Sequence, residues 1–501
     1  MLQKFYLLFF FLVLFTTAKT QNAIISKWNT NINSDNSNEL KIPAIGSYTY
    51  SYQSTSNPTI IGSGLGSTGV TTITLPQPGE YLITILPSST FKLNFGYSSL
   101  HNSDRNKITQ LIQWGNINWN TDLSNMFFGC RNLKVIATDT PNFSNVTNMF
   151  YMFVSCSSLI DIPNINNWDT SNVQNMQGMF SNTTNFNANI GNWNTSSVTN
   201  MSEMFDNAQS FNQNIGNWNT SNVTTMSIMF RNAKVFNQNI GSWDTKNVTK
   251  MAAMFQTTDN FNQNIGSWNT INVNDMSSMF EYALAFNQNI GNWNTTNVTN
   301  MGHLFHEAHA FNQNLSNWNT INVTDMSLMF FAAYAFNQNL GNWQLKSNVD
   351  LTSMLQWSGL SCINYSSTLK GWAENTNTPN NRTLGATSKN YSNSGLLYRN
   401  QLTNSKGWTI SGDIYNASCN GVLSVMNSEK EINTNIYPNP TNGVLYIKTE
   451  NSENFSIYNM NGQLVETIKI QKGNNKIDIS NLDNGWYLLK SKLKSFKIQK
   501  K

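Results

Sequence analysis

The stretch Phe211–Val235, FNQNIGNWNTSNVTTMSIMFRNAKV, decides the fold, because it returns with little change along half the chain. Trp168, Trp193, Trp218, Trp243, Trp268, Trp293, Trp318 and Trp343 recur every 25 residues without a slip. A fixed period of 20–50 residues is the signature of a solenoid or a related array. Within one copy the apolar residues are Val223, Met226, Met229 and Phe230, followed by Ala233. That spacing describes one face of a helix or a succession of tight helical turns. Thr220, Ser221 and Asn222 in front of it offer side-chain oxygens to free backbone N–H groups, as N-caps do. After Phe236, Asn237–Gly241 reads as a short extended segment and a turn, and Trp243 opens the next copy.

No single 25-residue copy can bury its own apolar columns; they are buried only when neighbours stack. Trp193, Trp218, Trp243, Met226, Met229 and Phe230 are therefore expected in a shared core, each contributing roughly 1.5–3 kcal/mol. With rungs about 4.8 Å apart, some ten of them would extend on the order of 50 Å. Asn recurs at 187, 212, 237, 262, 287, 312 and 337, and again two residues later in each copy. Asn carries a donor and an acceptor, so a stacked column can bond along the array and satisfy turn backbone. Met126-Phe127, Met149–Phe153 and Met354-Leu355 read as degenerate end rungs that cap the core.

The unit W-(N/D)-T-x-N-V-T-x-M-x-x-M-F-x-x-A-x-x-F-N-Q-N-(I/L)-G, covering about Ile108 to Leu355, resembles the BspA-like leucine-rich-repeat family of bacterial surface proteins. The resemblance implies an α+β repeat, a leucine-rich-repeat-like solenoid with a role in adhesion or interaction, and leaves the ligand open. Asn364 to Gly412 resembles the segment that often follows such arrays. Ile436–Lys448 (IYPNPTNGVLYIK), Phe455–Val465 (FSIYNMNGQLV) and Lys476–Lys490 (KIDISNLDNGWYLLK) resemble the C-terminal sorting domain of type IX secretion. That family is a small β-sandwich recognised by the outer-membrane translocon and often removed by a sorting peptidase, in Bacteroidetes-type bacteria. The resemblance places its sorting signal at Tyr437, Pro438, Asn439, Pro440, Gly443, Gly485 and Tyr487. Alternating strands joined by Asn-Gly and Asp-Asn-Gly turns fit such a domain on their own chemistry.

The expected organisation is then a signal peptide at 1–21, a β-rich domain at 22–98, the solenoid at 99–358, a flanking segment and linker at 359–430 and the sorting domain at 431–501. Lys4, the apolar run Phe5–Phe15 and the small polar residues after it form a secretory signal cut near Thr20 or Gln21. The run is too short to span a bilayer, which takes about 20 apolar residues, and no other stretch could. In the β-rich domain, Thr71–Ile85 (TTITLPQPGEYLITI) has the strand–turn–strand order of a small β-sandwich. It resembles a PKD-type module without the acidic Gly-Asp-Gly turn usual there. Export through the periplasm to the outer surface or the medium follows from the two ends.

Only 11% of residues are charged, and the net charge of +4 arises in the tail, where ten lysines face five acidic residues from Ile436 onward. There is no basic stripe for nucleic acid. Four cysteines allow three pairings. Cys130 and Cys156 share a Phe-x-x-Cys-x-x-Leu setting where later rungs carry Ala208, Ala233, Ala283, Ala308 and Ala333, which reads as a buried column of small residues. Cys362 and Cys419 bracket a separate segment, where an oxidising compartment favours a disulfide.

The chain has no Ser/His/Asp motif, no phosphate-binding glycine loop and no CxxC, so no catalytic site and no cofactor are expected. His303, His306 and His309 lie three apart and are the weak candidates for a zinc or nickel site. Their counterparts elsewhere, such as Glu203, Asp206 and Gln209, vary, which favours solvated surface. Met-x-x-Met pairs suggest copper(I), but their alternation with Phe favours core packing. The positions that change between rungs, Ser202-Glu203, Ser227-Ile228, Gly302-His303 and Ser327-Leu328, are where an unknown protein or glycan ligand would be specified. A glycan-binding role would need exposed aromatic side chains, for which Phe331 and Tyr334 are the local candidates.

Overall fold

A parallel backbone bridge joins each repeat to the next, at Asn175, Asn200, Thr225, Lys250, Asp275, Asn300, Asp325 and Asp350 in turn. Beyond that bridge, alternate amides continue the connection. In the quoted repeat Met226, Ile228, Phe230 and Asn232 donate to the carbonyls of Lys250, Ala252, Met254 and Gln256. Between them, Met229 donates to Met226 and Ala233 to Phe230. The third residues of these two turns, Ile228 and Asn232, have φ of 65° and 56°, the mark of a type II turn. Amides bonded to the next rung are not available for the i→i−4 ladder of a helix. The apolar spacing of three and four is therefore produced by consecutive turns. In this computed structural model the described residues are 21–32, 37–419, 436–449, 452–460, 463–491 and 495–501. The expected signal peptide, 1–21, lies outside them except for Gln21, as do residues 420–435 before the tail.

Of the expected α+β repeat, the coarser part holds: the described chain is mostly β and turn, with few helices and a repeated unit. Between residues 108 and 361 its only helical element is the short 3-10 turn Ile165–Asn167. Bridge, Trp, Phe and Asn columns each line up from rung to rung. Adjacent tryptophan rings stack with centroids 6.2–6.5 Å apart from Trp168 to Trp293, within the range of offset stacking. Each indole N–H from Trp193 to Trp343 donates to a carbonyl 28 residues earlier, such as Trp243 to Ile215 at 3.2 Å. Trp168, at the start, has no such partner.

The polar columns divide their work. Asn187 Oδ1 accepts the Asn212 N–H and the Gln213 side chain, and the same pair of bonds recurs on Asn212, Asn237, Asn262, Asn287 and Asn312. This column bonds along the array. Its neighbour two residues on, such as Asn214, accepts only the Gly216 amide of its own turn. Buried Thr220 donates its hydroxyl forward to Asp244, as its counterparts do from Thr170 to Thr320. These bonds satisfy buried backbone groups that would otherwise destabilise the stack.

Before the array run β1 (Ile24–Asn29), β2 (Glu39–Ile45), β3 (Tyr48–Ser54), β4 (Ile61–Gly66), β5 (Gly69–Thr74), β6 (Glu80–Pro87), β7 (Lys92–Leu93), β8 (Ile108–Gln113) and β9 (Lys134–Val135). They form two sheets, in the orders β4-β3-β6-β1-β8-β9 and β5-β2-β7. Alternation puts Ile24, Ser26 and Trp28 of β1 and Tyr81, Ile83 and Ile85 of β6 inside. The boundary expected at residue 98 does not divide the packing. β8 and β9 lie beyond it yet complete the larger sheet, and one apolar core runs from Ile24 to Ile410.

After the last rung, the helix Cys362–Glu374 stands where another rung would be. Trp372 donates its indole N–H to Leu340, Thr368 Oγ1 accepts the Leu340 amide, and Asn364 and Ser361 bond to Asn337. Three residues four apart on one helical face thus reproduce what a rung offers. β10 (Thr383–Gly385), β11 (Asn390–Tyr391), β12 (Thr409–Ser411) and β13 (Ile414–Tyr415) follow as two short parallel pairs. Cys362 and Cys419 form a disulfide, Cα–Cα 6.2 Å.

A second unit begins at Val422. Its strands are β14 (Ile436–Tyr437), β15 (Val444–Thr449), β16 (Glu453–Asn459), β17 (Leu464–Ile470), β18 (Gly473–Asp478), β19 (Gly485–Lys490) and β20 (Ser495–Lys500). They form sheets β14-β15-β18 and β17-β16-β19-β20. Leu445, Ile447, Phe455, Ile457, Ile477 and Leu489 lie in its own core.

Candidate binding surface

Trp193, Trp218 and Trp243 are 3% exposed, and Met226, Met229 and Phe230 are fully buried. Cys130 and Cys156 are buried free thiols; burial pushes both well above the usual thiol value and leaves them unreactive. None of these columns can meet a ligand.

The positions that vary lie on and beside the two left-handed turn residues of each rung. One turn residue is Glu203, Ile228, Ala253, Ser278, His303 or Leu328; the other is Asn207, Asn232, Thr257, Tyr282, Glu307 or Ala332. At the early end this surface is polar. Arg231 makes a two-pronged ion pair with Asp206, both bonds 2.8 Å, and hydrogen bonding to that carboxylate raises its pKa further. Glu203 accepts from Tyr151 at 2.7 Å and Gln177 at 3.0 Å. Burial, then the bond to Glu203, push the Tyr151 phenol up to about 12. Asn182, Asn207 and Asn232 bond to one another in a short ladder.

Toward the late end it becomes aromatic. Tyr282, Tyr334 and Trp357 are 40%, 58% and 46% exposed. Tyr282 and Phe331 lie against His306, Phe331 against Trp357, and Tyr334 against His309. Of the two aromatic candidates from the sequence, Tyr334 is open and Phe331 is half-buried.

The three histidines do not act as one group. His306 Nδ1 lies 2.9 Å from Glu281 Oε1 and 3.4 Å from His303 Nδ1. His309 instead bonds Glu307 at 2.7 Å. The turn path, unlike a helix, points it away from the other two. Glu281 was missed by reading histidines alone, though it lies 25 residues before His306 and so in the same column. Burial opposes its ionisation, but bonds with His306 and Ser278 outweigh it and hold its pKa below the usual carboxylate value.

In the tail unit, Tyr437 is exposed and Asn439 clamps the last strand, donating to the Lys497 carbonyl and accepting from the Gln499 amide. Pro438 and Pro440 flank it. Gly443 has φ 131°, and a side chain there would meet Ser480. Gly485 opens β19, and buried Tyr487 donates its hydroxyl to the Asp483 carbonyl.

The repeats match one family, described as Mycoplasma protein of unknown function, DUF285, over residues 121–226, 158–267, 208–295 and 254–372. Together these matches cover half of the chain. The chain belongs to this family. The DUF285 rungs thus include both the polar and the aromatic parts of the variable surface. Residues 435–501 match the secretion system C-terminal sorting domain. This type IX tail directs the DUF285 array to the cell surface or the medium. No curated protein matches the chain. Among the described residues no helix is long and apolar enough to cross a membrane.

Proposed function

We propose that this chain is a secreted or cell-surface scaffold for adhesion or protein–protein interaction, built as a leucine-rich-repeat-like solenoid of the BspA-like kind. The observation that carries the reading is the separation of its columns. Unvarying residues are buried, bonded to a neighbouring rung or, like Asn214, closing their own turn, and the variable left-handed turn residues share one surface. On this reading the chain is a binding protein and not an enzyme. It crosses the periplasm, and its tail engages the type IX translocon and a sorting peptidase. Exposed Tyr282, Tyr334 and Trp357 support a protein partner, because aromatic side chains are enriched at the centres of interfaces. The test is retention of the full chain on surfaces of neighbouring bacteria, host cells or matrix. A variant with Tyr282, Tyr334 and Trp357 changed to Ser should lose retention, and one with Ile271 and Ile321 changed to Ser should keep it. Equal retention by both would refute this surface as the binding site.

A second reading is a carbohydrate-binding accessory of an exported polysaccharide system. Tyr334 and Trp357, open to solvent, supply the aromatic faces it requires. Binding on a glycan array that the Tyr334→Ser variant loses would favour it over the first reading; a blank array would refute it.

A further inference from the structure

We propose that Glu281, His303 and His306 form a site for a divalent transition-metal ion of the zinc class, spanning two neighbouring rungs. One oxygen of Glu281 and one nitrogen from each imidazole converge. Their separations are 2.9 Å (Glu281–His306), 3.4 Å (His303–His306) and 3.7 Å (Glu281–His303). Ligand atoms about 2.05 Å from a tetrahedral zinc stand roughly 3.3 Å apart, which is the mean of these three. A point equidistant from the three atoms lies about 1.95 Å from each in their plane; an ion about 0.6 Å out of the plane reaches about 2.05 Å to all of them. The three atoms therefore form one face of a zinc tetrahedron. The fourth corner is left to water or to a ligand group, on the side where the His303 side chain is 39% exposed.

The donor chemistry selects the ion. Two imidazoles and one carboxylate suit zinc, copper, nickel or cobalt, whereas calcium and magnesium take oxygen ligands in larger number. A hydrogen-bonded His306–Glu281 pair would account for the 2.9 Å contact alone. It leaves unexplained why His303 turns a second ring nitrogen toward the same point. Surrounding groups hold the donors: Tyr282 and Phe331 pack against the His306 ring, and Ser278 bonds Glu281. Such outer contacts orient metal ligands. His309, which the sequence groups with the other two, takes no part. Because the ligands come from adjacent rungs, the ion would also tie those rungs together.

Calorimetry on the untagged full chain with zinc chloride tests the site. The expected result is one ion per chain, with Glu281→Gln, His303→Ala and His306→Ala each binding at least about tenfold more weakly and His309→Ala binding as the parent does. Zinc should also raise the melting temperature of the parent, as a ligand of the folded state must. Should His306→Ala fail to fold, the more exposed His303→Ala and the near-isosteric Glu281→Gln carry the test. The proposal is overturned if the parent takes up no zinc, if these variants bind it as the parent does, or if calcium or magnesium competes at equal concentration.

Discussion

Replacing one tryptophan by phenylalanine should cost far more in the middle of the array than at its start. Trp168 and Trp243 are equally buried, at 3% exposure. Trp243 lies between Trp218 and Trp268; Trp168 stacks on Trp193 and meets Trp114 and Phe143 edge-on. Loss of indole volume and apolar area costs about 1–2 kcal/mol at either site. The polar atom separates them. Trp243 Nε1 donates to the Ile215 carbonyl, which also accepts the Trp218 amide, so removing the indole loses one bond without orphaning the acceptor, about 1 kcal/mol. Trp168 Nε1 is buried without a partner, and phenylalanine there relieves a cost of about 1–3 kcal/mol. The two variants should therefore differ by about 2–4 kcal/mol, with Trp168→Phe close to neutral. A chain of stacked repeats need not unfold in one step. Hydrogen exchange of the rung-to-rung amides six residues after each tryptophan, Thr249 for Trp243 and Gln174 for Trp168, reads the local opening free energy. Equal losses of protection in the two variants would refute the claim that the indole bonds hold the column.

Three further outcomes follow from other positions. Ile228 is β-branched at φ 65°, a conformation that strains L side chains by about 1–2 kcal/mol; Ile228→Asn, the residue found in the sister turn at 232, should raise the melting temperature by about 1–2 °C, and a fall would count against the strain. Lys389 is buried, donates to the Ser358 carbonyl and has its pKa pushed down to about 8 by burial. Its folded value lies below the unfolded one, so the unfolded chain binds more protons between about pH 8 and 10.5 and stability rises with pH there. Lys389→Met should accordingly stabilise the protein at pH 7 by up to about 3 kcal/mol and lose that advantage by about pH 10.5; a difference that stays flat with pH in denaturation would contradict it. Removal of residues 436–501 should trap the chain in the periplasm, and normal amounts in the medium or on the surface, measured by fractionation, would contradict the export route.

The period of 25 made the core columns readable, because Trp, Met and Phe each return at fixed offsets and nothing else explains their constancy. The same regularity left the path between them open, since a helix and a run of type II turns both place apolar residues three and four apart. What decides is where the amides go, and that depends on a neighbour 25 residues away. Glu281 could have been found by subtracting one period from His306, whereas His309 misleads because its spacing looks helical. The capping helix was hidden for a different reason. Asn364, Thr368 and Trp372 occupy rung positions through a four-residue spacing that bears no likeness to the repeat.

A stacked array confines change to nearby rungs, because each rung bonds mainly to the two beside it; the longer reach of Tyr151 to Glu203 spans two. A substitution in the Trp, Asn or Thr column removes a bond from an adjacent rung as well as its own. A substitution at a turn residue on the variable surface leaves those bonds intact, since the turn needs its backbone conformation and not a particular side chain. Ile, Ala, Ser, His and Leu all stand at equivalent turn positions with φ between 52° and 65°. New chemistry on this surface can then arise between rungs, from residues one period apart that meet across the stack. Arg231 with Asp206 and His306 with Glu281 are both separated by 25 residues. One pair is a closed ion pair; the other, with His303 beside it, presents a third donor atom to the same point. A single added histidine on the turn is what separates a structural contact from a metal-binding one.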